Sequence, residues 1–353
     1  MKKFLTVSLA LMLAAQVYSG NRDRQGEAGA SELLINPWSS SSGWDGVNTS
    51  CVTGVEALNH NVAGLAFVRK TELVFSHTEW LVGTGIRINT FGFGQSLGAR
   101  GGVIGASVMS VDFGDIPITT TSLPEGGLGT YSPQFINLAV AYAKEFSNSI
   151  YGGFVIRGIS EAISDVSAFG ACIDAGIQYV TGPRHDPDRI KFGIALRNIG
   201  TRMTFGGDGL SFRGFPPESQ DYTMTLEQRS QGFELPSLMN IGISYALPLN
   251  KQMPELHVLT VAGNFTSNSF SQDQIGGGLE YAFRQTVMLR AGYNYQKNLT
   301  DPSLRVTALT GLSAGASFLV PLKKGGPRLG IDYSYRASDP FEGTHSAGIR
   351  IVL

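Results

Sequence analysis

Residues 311–315 read Gly-Leu-Ser-Ala-Gly, a literal match to the G-x-S-x-G motif of a nucleophilic serine. That motif works on a sharp turn between a strand and a helix, where the serine hydroxyl is exposed to its substrate. Here residues 316–320 continue an extended, alternating pattern and no helix follows. We therefore expect Ser313 to lie inside a strand and to have no catalytic role.

Other residue types that carry chemistry are present but do not combine into a site. Five histidines lack the spacing of a metal site or a general-base pair: His60, His77, His185, His257 and His345. The Gly-Phe-Gly at 92–94 lacks the following helix that a phosphate loop needs. Asp208 has no companion carboxylates at calcium-loop spacing. We predict no catalytic, cofactor-binding or metal-binding residues, and we do not expect an enzyme.

The first residues predict export. Lys2 and Lys3 precede an apolar run from residue 4 to residue 15, and small residues follow at the spacing of a cleavage site near Ser19. An N-terminal anchor helix is the alternative, but the apolar run is too short to span a bilayer. We assign residues 1–19 to a cleaved signal peptide.

The composition favours many strands packed side by side. The chain has 45 glycines and only 16% charged residues, which is unusual for a soluble helical enzyme. Lysine and arginine number 27 against 28 acidic residues, and loss of Lys2 and Lys3 with the signal peptide leaves 25. This near balance gives no reason to expect nucleic acid as a partner.

After the signal peptide, apolar and polar residues alternate in segments of about ten residues, as in membrane barrels. In one example the apolar residues are Ile190, Phe192, Ile194 and Leu196. They alternate with residues that are polar or small: Lys191, Gly193, Ala195 and Arg197. About fourteen such segments are found: 72–81, 84–95, 102–112, 134–146, 149–162, 167–181, 189–199, 236–248, 256–267, 273–284, 286–297, 308–321, 327–337 and 342–353. The predicted fold is all-β, a transmembrane antiparallel β-barrel over residues 72–353.

A soluble β-sandwich is the alternative, because its strands alternate too. Three features favour the barrel: the strands are long, the chain ends inside a strand at Leu353, and aromatic residues crowd the strand ends. The aromatic residues are Tyr142, Phe146, Tyr151, Tyr179, Tyr245, Tyr281, Phe283 and Tyr295. We therefore expect a bacterial outer-membrane protein in contact with membrane lipid.

An even number of strands places the start of the first strand and the end of the last strand on the same side, which we expect to be the periplasmic side. The two longest connections, 113–133 and 200–235, then fall on the extracellular side. Residues 20–71 show no strand alternation and precede the first strand, and we predict that they fold into the lumen as a plug. The alternative for this segment is a disordered tail, above all in its first dozen residues.

Charged residues at inward positions predict a lattice that holds such a plug: Arg87, Arg157, Asp174, Lys191, Arg197, Arg290, Arg328, Asp332 and Arg350. A path for an anionic amphiphile is the alternative. Cys172 belongs to the inward set, and Cys51 lies in the predicted plug. An exported protein meets an oxidising compartment, so a disulfide between Cys51 and Cys172 is one hypothesis and two free thiols are the other.

The N-terminal segment resembles the opening of FadL-like outer-membrane barrels. The resemblance rests on Ser-Gly-Trp-Asp-Gly at 42–46, Glu-Ala-Leu at 56–58 and Asn-Val-Ala-Gly-Leu-Ala at 61–66. Those barrels carry a G-M-G-G element and a W-N-P-A-G-L element in a luminal plug. This chain departs at Trp44 and Asp45, and at Val62, where the family has proline. The departure at Val62 leaves the plug conformation open.

Within that superfamily the chain is most similar to the PorV/PorQ family. The similarity rests on residues 32–37 (Glu-Leu-Leu-Ile-Asn-Pro), 113–116 (Phe-Gly-Asp-Ile), 151–153 (Tyr-Gly-Gly) and 207–212 (Gly-Asp-Gly-Leu-Ser-Phe). It implies a fourteen-stranded barrel associated with the type IX secretion system of Bacteroidota. PorV-like members bind a translocon and receive or hand over secreted cargo through their extracellular loops.

The resemblance leads to our first functional hypothesis, a protein-binding accessory or cargo shuttle of that secretion system. Its candidate contact residues lie in the long loop: Phe205, Phe212, Arg213, Phe215, Tyr222, Arg229 and Phe233. Aromatic residues and arginines commonly anchor interfaces, although the same loop could pack on itself over the barrel mouth. The second hypothesis is a FadL-like passive transporter of hydrophobic small molecules. The third is a purely structural or adhesive barrel.

Overall fold

The computed structural model describes residues 24–98, 100–182, 189–216, 221–250, 252–323 and 326–353. The predicted signal peptide, the first residues of the predicted plug and His185 lie outside them. The strands, in chain order, are β1 (Thr71–Trp80), β2 (Ile86–Ser96), β3 (Val103–Asp112), β4 (Ile116–Pro117), β5 (Thr130–Tyr131), β6 (Gln134–Ser147), β7 (Ile150–Ile163), β8 (Val166–Thr181), β9 (Ile190–Gly200), β10 (Ser211–Gly214), β11 (Met224–Glu227), β12 (Leu238–Pro248), β13 (His257–Asn268), β14 (Gln274–Phe283), β15 (Val287–Gln296), β16 (Leu309–Pro321), β17 (Arg328–Ser338) and β18 (Thr344–Val352).

Fourteen of these strands form a closed antiparallel barrel, which confirms the predicted fold class and strand number. Neighbours along the chain pair with one another, and β1 closes the barrel by pairing with β18, with Phe75 opposite Ile349. Closure leaves no strand edge exposed. The four short strands form two separate hairpins in the long loops, β4 with β5 and β10 with β11.

The alternation of side chains separates an apolar outer face from a polar or small inner face. In β8, Cys172, Asp174 and Gln178 are buried, whereas the outward Phe169 and Ile177 are 72% and 56% exposed. Successive side chains of a strand point to opposite faces, so a two-residue alternation in the sequence makes one face of the wall apolar and the other polar. The predicted inward position of Cys172 is therefore confirmed.

The two ends of the barrel differ in their connections. At the end where β1 begins and β18 ends, here called the terminus end, the connections are short, such as residues 148–149 and 284–286. At the opposite end, here called the loop end, lie the two long connections, 113–133 and 201–237. The predicted parity of short and long connections is confirmed.

Residues 24–70, here called the inner segment, pack against the inner face of the barrel wall. The segment contains four short helices: Ser31–Leu34, Ser39–Ser42, Val55–Asn59 and Val62–Phe67. Trp38, Val55, Leu58 and Leu65 are fully buried and form an apolar cluster with wall residues of β1, β3, β6 and β7. Within the described part of the chain, no helix is long and apolar enough to cross a bilayer.

Glycines of the wall make room for the inner segment. A Cβ built on Gly276 would lie 2.6 Å from a methyl of Val47, and one on Gly278 would lie 2.8 Å from the Trp44 ring. Both distances are too short for carbon atoms in contact. The wall glycines that approach the inner segment in this way are Gly92, Gly94, Gly105, Gly176, Gly193, Gly242, Gly276, Gly278, Gly292, Gly315 and Gly348. Part of the high glycine content thus reflects the close packing of the inner segment against the backbone of the wall.

Candidate functional site: the barrel interior

Buried charges hold the inner segment to the wall, as the inward residues predict. Arg157 of β7 donates to the carbonyl oxygen of Leu58 at 3.0 Å and to Oδ2 of Asp174 at 3.0 Å. Its side chain is 2% exposed. On the same side of the barrel, Arg197 donates to the carbonyl oxygen of Leu33 at 3.0 Å. Two guanidinium groups of the wall therefore bind backbone carbonyls of the inner segment.

A second group of charges surrounds Arg350 of β18. Its guanidinium contacts the carboxylates of Glu56 and Asp332, and lies 3.6 Å from that of Glu72. Glu56 also accepts from the amide of Ser41 at 2.7 Å, and Glu72 accepts from the amide of Val55 at 3.2 Å. One arginine thus links three carboxylates, of which Glu56 belongs to the inner segment. We call Arg350, Glu56, Glu72 and Asp332 the arginine node.

The prediction for Arg87 is wrong. The buried residues of β2 are Ile88, Thr90, Gly92 and Gly94, so Arg87 belongs to the opposite, outer face, where it is exposed at the loop end. Near the end of a strand the outer surface leaves the lipid, so a charged residue there no longer marks the inner face. Lys191 does point inward, where its ammonium lies 5.3 Å from the centre of the Phe67 ring.

A carboxylate of the inner segment lies in an unfavourable environment near the loop end. Glu32 is 3% exposed. Burial raises the pKa of the Glu32 carboxyl, and the nearby carboxylate of Glu161 on β7 raises it further. Glu32 therefore keeps its proton at pH values where an ordinary glutamate has lost it.

A cavity of about 160 Å³ lies between the inner segment and the wall at the loop end. Strands β12 to β17 supply most of its wall, and Asp45, Gly46 and His60 of the inner segment form part of its other side. Six side-chain amides line it: Asn36, Asn240, Asn268, Gln274, Asn294 and Gln296. Threonines, two arginines and four leucines complete much of the lining. The lining is therefore mixed, with slightly more polar than apolar surface.

The amides of the cavity wall form a partly completed hydrogen-bond network. Asn294 donates to Oε1 of Gln274 at 3.0 Å, and Gln274 donates to Oε1 of Gln296 at 3.1 Å. Within the described structure, Nε2 of Gln296 and Oδ1 of Asn268 have no hydrogen-bond partner. One of these atoms is a donor and the other an acceptor, and both are fully buried, so they lie behind the surface of the cavity.

Charge in the cavity comes from three residues. Arg197 and Arg336 are cationic, and Arg336 lies 4.9 Å from the centre of the Trp80 ring. Burial raises the pKa of Asp45 to about 6, so this carboxyl is mostly ionised at neutral pH. Burial lowers the pKa of His60 to about 3, with the positive charge of Arg197 as a second cause. His60 is therefore neutral.

Part of the long loop packs over the barrel interior. Met203 and Phe233 exchange two backbone hydrogen bonds, of 3.0 and 2.9 Å, and the ring of Phe205 lies 5.6 Å from that of Phe233. These residues contact a buried cluster that includes Leu33 and Cys172. The self-packing considered for the loop is thus present at Phe205 and Phe233, which are half-buried rather than free.

The remaining residues of the predicted contact surface lie outside this packed part. Phe212, Phe215 and Tyr222 are 52%, 56% and 60% exposed, and Arg213 and Arg229 are exposed beside them. Phe212 and Arg213 belong to β10, which pairs with β11 as a hairpin. Five of the seven predicted contact residues are therefore exposed.

The two cysteines are free thiols in different clusters. Cys51 packs against Trp44, Val47 and Ala262, whereas Cys172 packs with Ala30 and Leu33 and their neighbours. Burial raises the pKa of the Cys51 thiol to about 12, so this half-buried thiol is a weak nucleophile while the inner segment stays in place.

The motif at 311–315 lies inside β16, as expected. Ser313 is buried and donates to the carbonyl oxygen of Gly43 at 3.0 Å. Among the residues that the structure describes, no group of three or more histidines, cysteines or carboxylates is arranged to hold a metal ion. His257 and His345 each bond to a tyrosine hydroxyl, of Tyr281 and Tyr333 respectively.

The cavity was missed by the analysis of the sequence. Its residues do carry a signal, since amides and threonine recur at alternate positions near the loop end of neighbouring strands, as in Asn264, Thr266 and Asn268 of β13. The same alternation describes any polar inner wall. The cavity exists because the inner segment leaves this sector of the lumen unfilled, and the alternation of the strands does not predict the path of that segment.

Comparison with known proteins leaves the family of this chain open but agrees on its fold. No protein-family model and no curated protein matches the sequence. Among solved structures, the monoaromatic hydrocarbon channel CymD is 11% identical, with a TM-score of 0.54 over 90% of this chain and 97% of its own. The toluene transporter TodX of Pseudomonas putida is 12% identical, with a TM-score of 0.52 over 89% and 96%. At such low identity these likenesses show that the chain shares the barrel fold of hydrocarbon channels.

Proposed function

We propose that this chain is an outer-membrane barrel through which small molecules pass passively, with the inner segment controlling the route. The observation that carries the proposal is the cavity between the inner segment and the wall. A barrel with a filled lumen would be only a structural element, whereas a cavity at one end offers a solute a first binding position. The solved barrels of the same fold that are named channels support this function.

The outer surface supports insertion into a membrane. Outward residues form an apolar belt that includes Val140, Ile156, Ile173 and Ile331, each at least half exposed. Aromatic residues gather at the terminus end, as in the girdles of outer-membrane barrels: Tyr142, Phe146, Tyr179, Tyr245, Tyr281 and Phe283. Together with export through the predicted signal peptide at 1–19, this surface fits an outer membrane. The terminus end of the barrel would then lie in the periplasm, and the loop end with the cavity would face the outside.

The inner segment would act as the plug of this barrel. It packs against β1, β3, β6 and β7 through an apolar cluster, and polar contacts of Arg157 and Arg350 also join it to the wall. Polar contacts can be exchanged for water at moderate cost. We therefore propose that a shift of the inner segment, rather than movement of the strands, opens the route from the cavity to the terminus end.

Swelling of vesicles that contain the purified barrel tests this function. We expect glycerol and glucose to enter faster than in protein-free vesicles, and sucrose, which is about twice the size of glucose, to enter more slowly than glucose. Equal rates with and without the barrel, for all three solutes, would rule out passive transport through it.

A second candidate function is protein binding, as the PorV/PorQ likeness suggests. It is favoured by the exposed aromatic residues of the loop hairpin, Phe212, Phe215 and Tyr222. The proposed partners are a secretion translocon or its secreted cargo. Purification from native membranes in mild detergent, followed by mass spectrometry, should recover such a partner with the wild type and lose it when the three residues are changed to serine. Recovery of the barrel alone in both cases would exclude this function.

A further inference from the structure

The buried arginines of the wall differ in how their charge is compensated. Four arginines of the described wall are buried, with at most 9% of each residue exposed: Arg157, Arg197, Arg290 and Arg336. Arg157 and Arg290 each form an ion pair with a carboxylate, at 3.0 and 2.6 Å. Within the part of the chain that the structure describes, Arg197 and Arg336 form none. Buried arginines are ordinarily paired, and the two without a carboxylate both line the cavity at the loop end.

Each of these two guanidinium groups keeps one nitrogen for a ligand. Nη2 of Arg197 donates to the carbonyl oxygen of Leu33 at 3.0 Å, and Nη2 of Arg336 donates to that of Asn36 at 3.3 Å. The Nε atoms are enclosed by protein. Nη1 of each group has no hydrogen bond among the described residues and is not fully enclosed, so a solute in the cavity can reach it. The carbonyl partners are neutral and leave the charge of both groups uncompensated.

The net charge of the cavity fits a ligand with a single negative charge. Asp45 is the one carboxylate among the described lining residues, and it is mostly ionised at neutral pH because burial raises its pKa only to about 6. His60 is neutral, since burial lowers its pKa to about 3. Two arginines and one aspartate leave the lining with a net charge of +1. One carboxylate of a ligand would cancel this charge through charge-assisted hydrogen bonds.

The apolar part of the lining lies close to the arginines. Leu238 of β12 is paired with Arg197 of β9 in the sheet register. Leu309 of β16 is paired with Ser338, which lies two residues beyond Arg336 on the same face of β17. An apolar protein cavity of about 150 Å³ accommodates benzene, and this cavity measures about 160 Å³. Guanidinium groups also stack on aromatic faces, so one aromatic ring suits both the leucines and the arginines.

We propose that the cavity at the loop end binds an aromatic monocarboxylate with a single ring, of the size and charge of benzoate, through the guanidinium groups of Arg197 and Arg336. The inference rests on the proposed function as a passive transporter and names a solute class for that route. It separates this chain from the hydrocarbon channels that share its fold, because an uncharged ring would leave both buried cations without a counter-charge.

Titration calorimetry at neutral pH, with the full chain in nanodiscs of zwitterionic lipid, tests the inference with benzoate as the probe. Benzamide has nearly the same shape as benzoate but no charge, and acetate has the charge but no ring. We expect saturable binding of benzoate, and binding of benzamide and of acetate that is at least about tenfold weaker.

Three variants and one control assign the binding to the lining charges. Arg197→Gln and Arg336→Gln should each weaken benzoate binding about tenfold, since each removes one charged donor. Asp45→Asn should strengthen it because a negative charge is lost, and asparagine tolerates the left-handed backbone at this position, with φ of 48°. Arg305→Gln is the matched control, since Arg305 also lies at the loop end but is paired with Asp339 and does not line the cavity.

The outcomes separate this inference from the proposed function. Absence of saturable benzoate binding, or binding of benzamide or acetate as tight as that of benzoate, would overturn the assignment of the solute class. Weaker binding by Asp45→Asn, or equal weakening by Arg305→Gln, would overturn the role of the lining charges. In each of those cases faster entry of glycerol into vesicles would still support transport. Conversely, benzoate binding without entry of any solute would leave the site in place and remove the transport function.

Discussion

Replacement of Arg350 by methionine should release the inner segment. The substitution keeps much of the side-chain volume but leaves Glu56, Glu72 and Asp332 of the arginine node without their shared cation. Removing one partner of a buried ion pair costs about 3–5 kcal/mol. Because Arg350 is 18% exposed, we take the lower value, about 3 kcal/mol, which shifts the equilibrium between packed and released segment by about 100-fold.

Labelling of Cys51 by a water-soluble maleimide measures that shift. Cys51 lies on the inner segment, where its thiol is half-buried and has a raised pKa, so we expect it to react slowly until the segment leaves the wall. In a Cys172→Ser background, we expect Arg350→Met to raise the labelling rate by up to about 100-fold, since the part of the rate that requires release follows the population of the released state when release is fast. Adding Glu56→Gln should reverse part of the increase, because one of the stranded carboxylates is removed.

The same substitution at Arg305 is the matched control. Arg305 pairs with Asp339 at 2.6 Å; Arg305 is 10% exposed and Asp339 53%, and the hydrogen bonds of Arg305 in the described structure go to Asp339 and not to the inner segment. We expect Arg305→Met to leave the labelling rate unchanged. If Arg350→Met also leaves it unchanged, or if both substitutions raise it equally, the arginine node does not hold the inner segment.

Three further predictions concern the inner segment and its contacts. Gly276→Val should raise labelling of Cys51 because a side chain there collides with the inner segment, whereas Gly277→Val, whose added Cβ meets nothing within 4 Å, should not; equal effects would contradict the role of the wall glycines. Labelling of Cys51 in the wild type should increase as the pH rises from about 6.5 through the pKa of Glu32, which burial raises to about 8, since the released segment has lost a proton that the packed state retains. At lower pH Asp45 and His60 also titrate, and His60 acts in the opposite direction. Glu32→Gln should weaken this dependence once the intrinsic titration of the thiol is subtracted, and an unchanged profile would refute the role of Glu32. Mass spectrometry of the denatured, unreduced protein should find two alkylated thiols, at Cys51 and Cys172; a mass lower by two hydrogens, with no alkylation, would instead establish the disulfide.

The strands could be predicted because a barrel wall imposes the same two-residue period throughout its length. Ile190, Phe192 and Ile194 point outward and their neighbours inward, as the alternation indicates. The prediction weakens where that physical cause disappears. At the strand end that carries Arg87 both faces can meet water, and in the loop Phe205 and Phe233 pack inward although the local sequence resembles that of the exposed Phe212.

The interior site depends on contacts between distant parts of the chain. The arginine node joins residues near position 56 to residues near position 350, and the cavity joins Asn36 to Gln296. No periodicity relates such positions, because the inner segment has no regular repeat that would fix its register against the wall. The inward charges could thus be identified from the sequence, but not their partners.

The central claim is that solutes pass through the barrel when the inner segment moves. Oγ of Ser39, on the inner segment, lies 3.2 Å from Oγ of Ser76 on β1, so cysteines at both positions can form a disulfide that locks the segment to the wall. In a background with Cys51 and Cys172 changed to serine, glucose entry into vesicles should be low for the oxidised double variant and should recover on reduction. The single Ser39→Cys variant should be unaffected by either treatment. Equal glucose entry in the oxidised and reduced states of the double variant would contradict the claim.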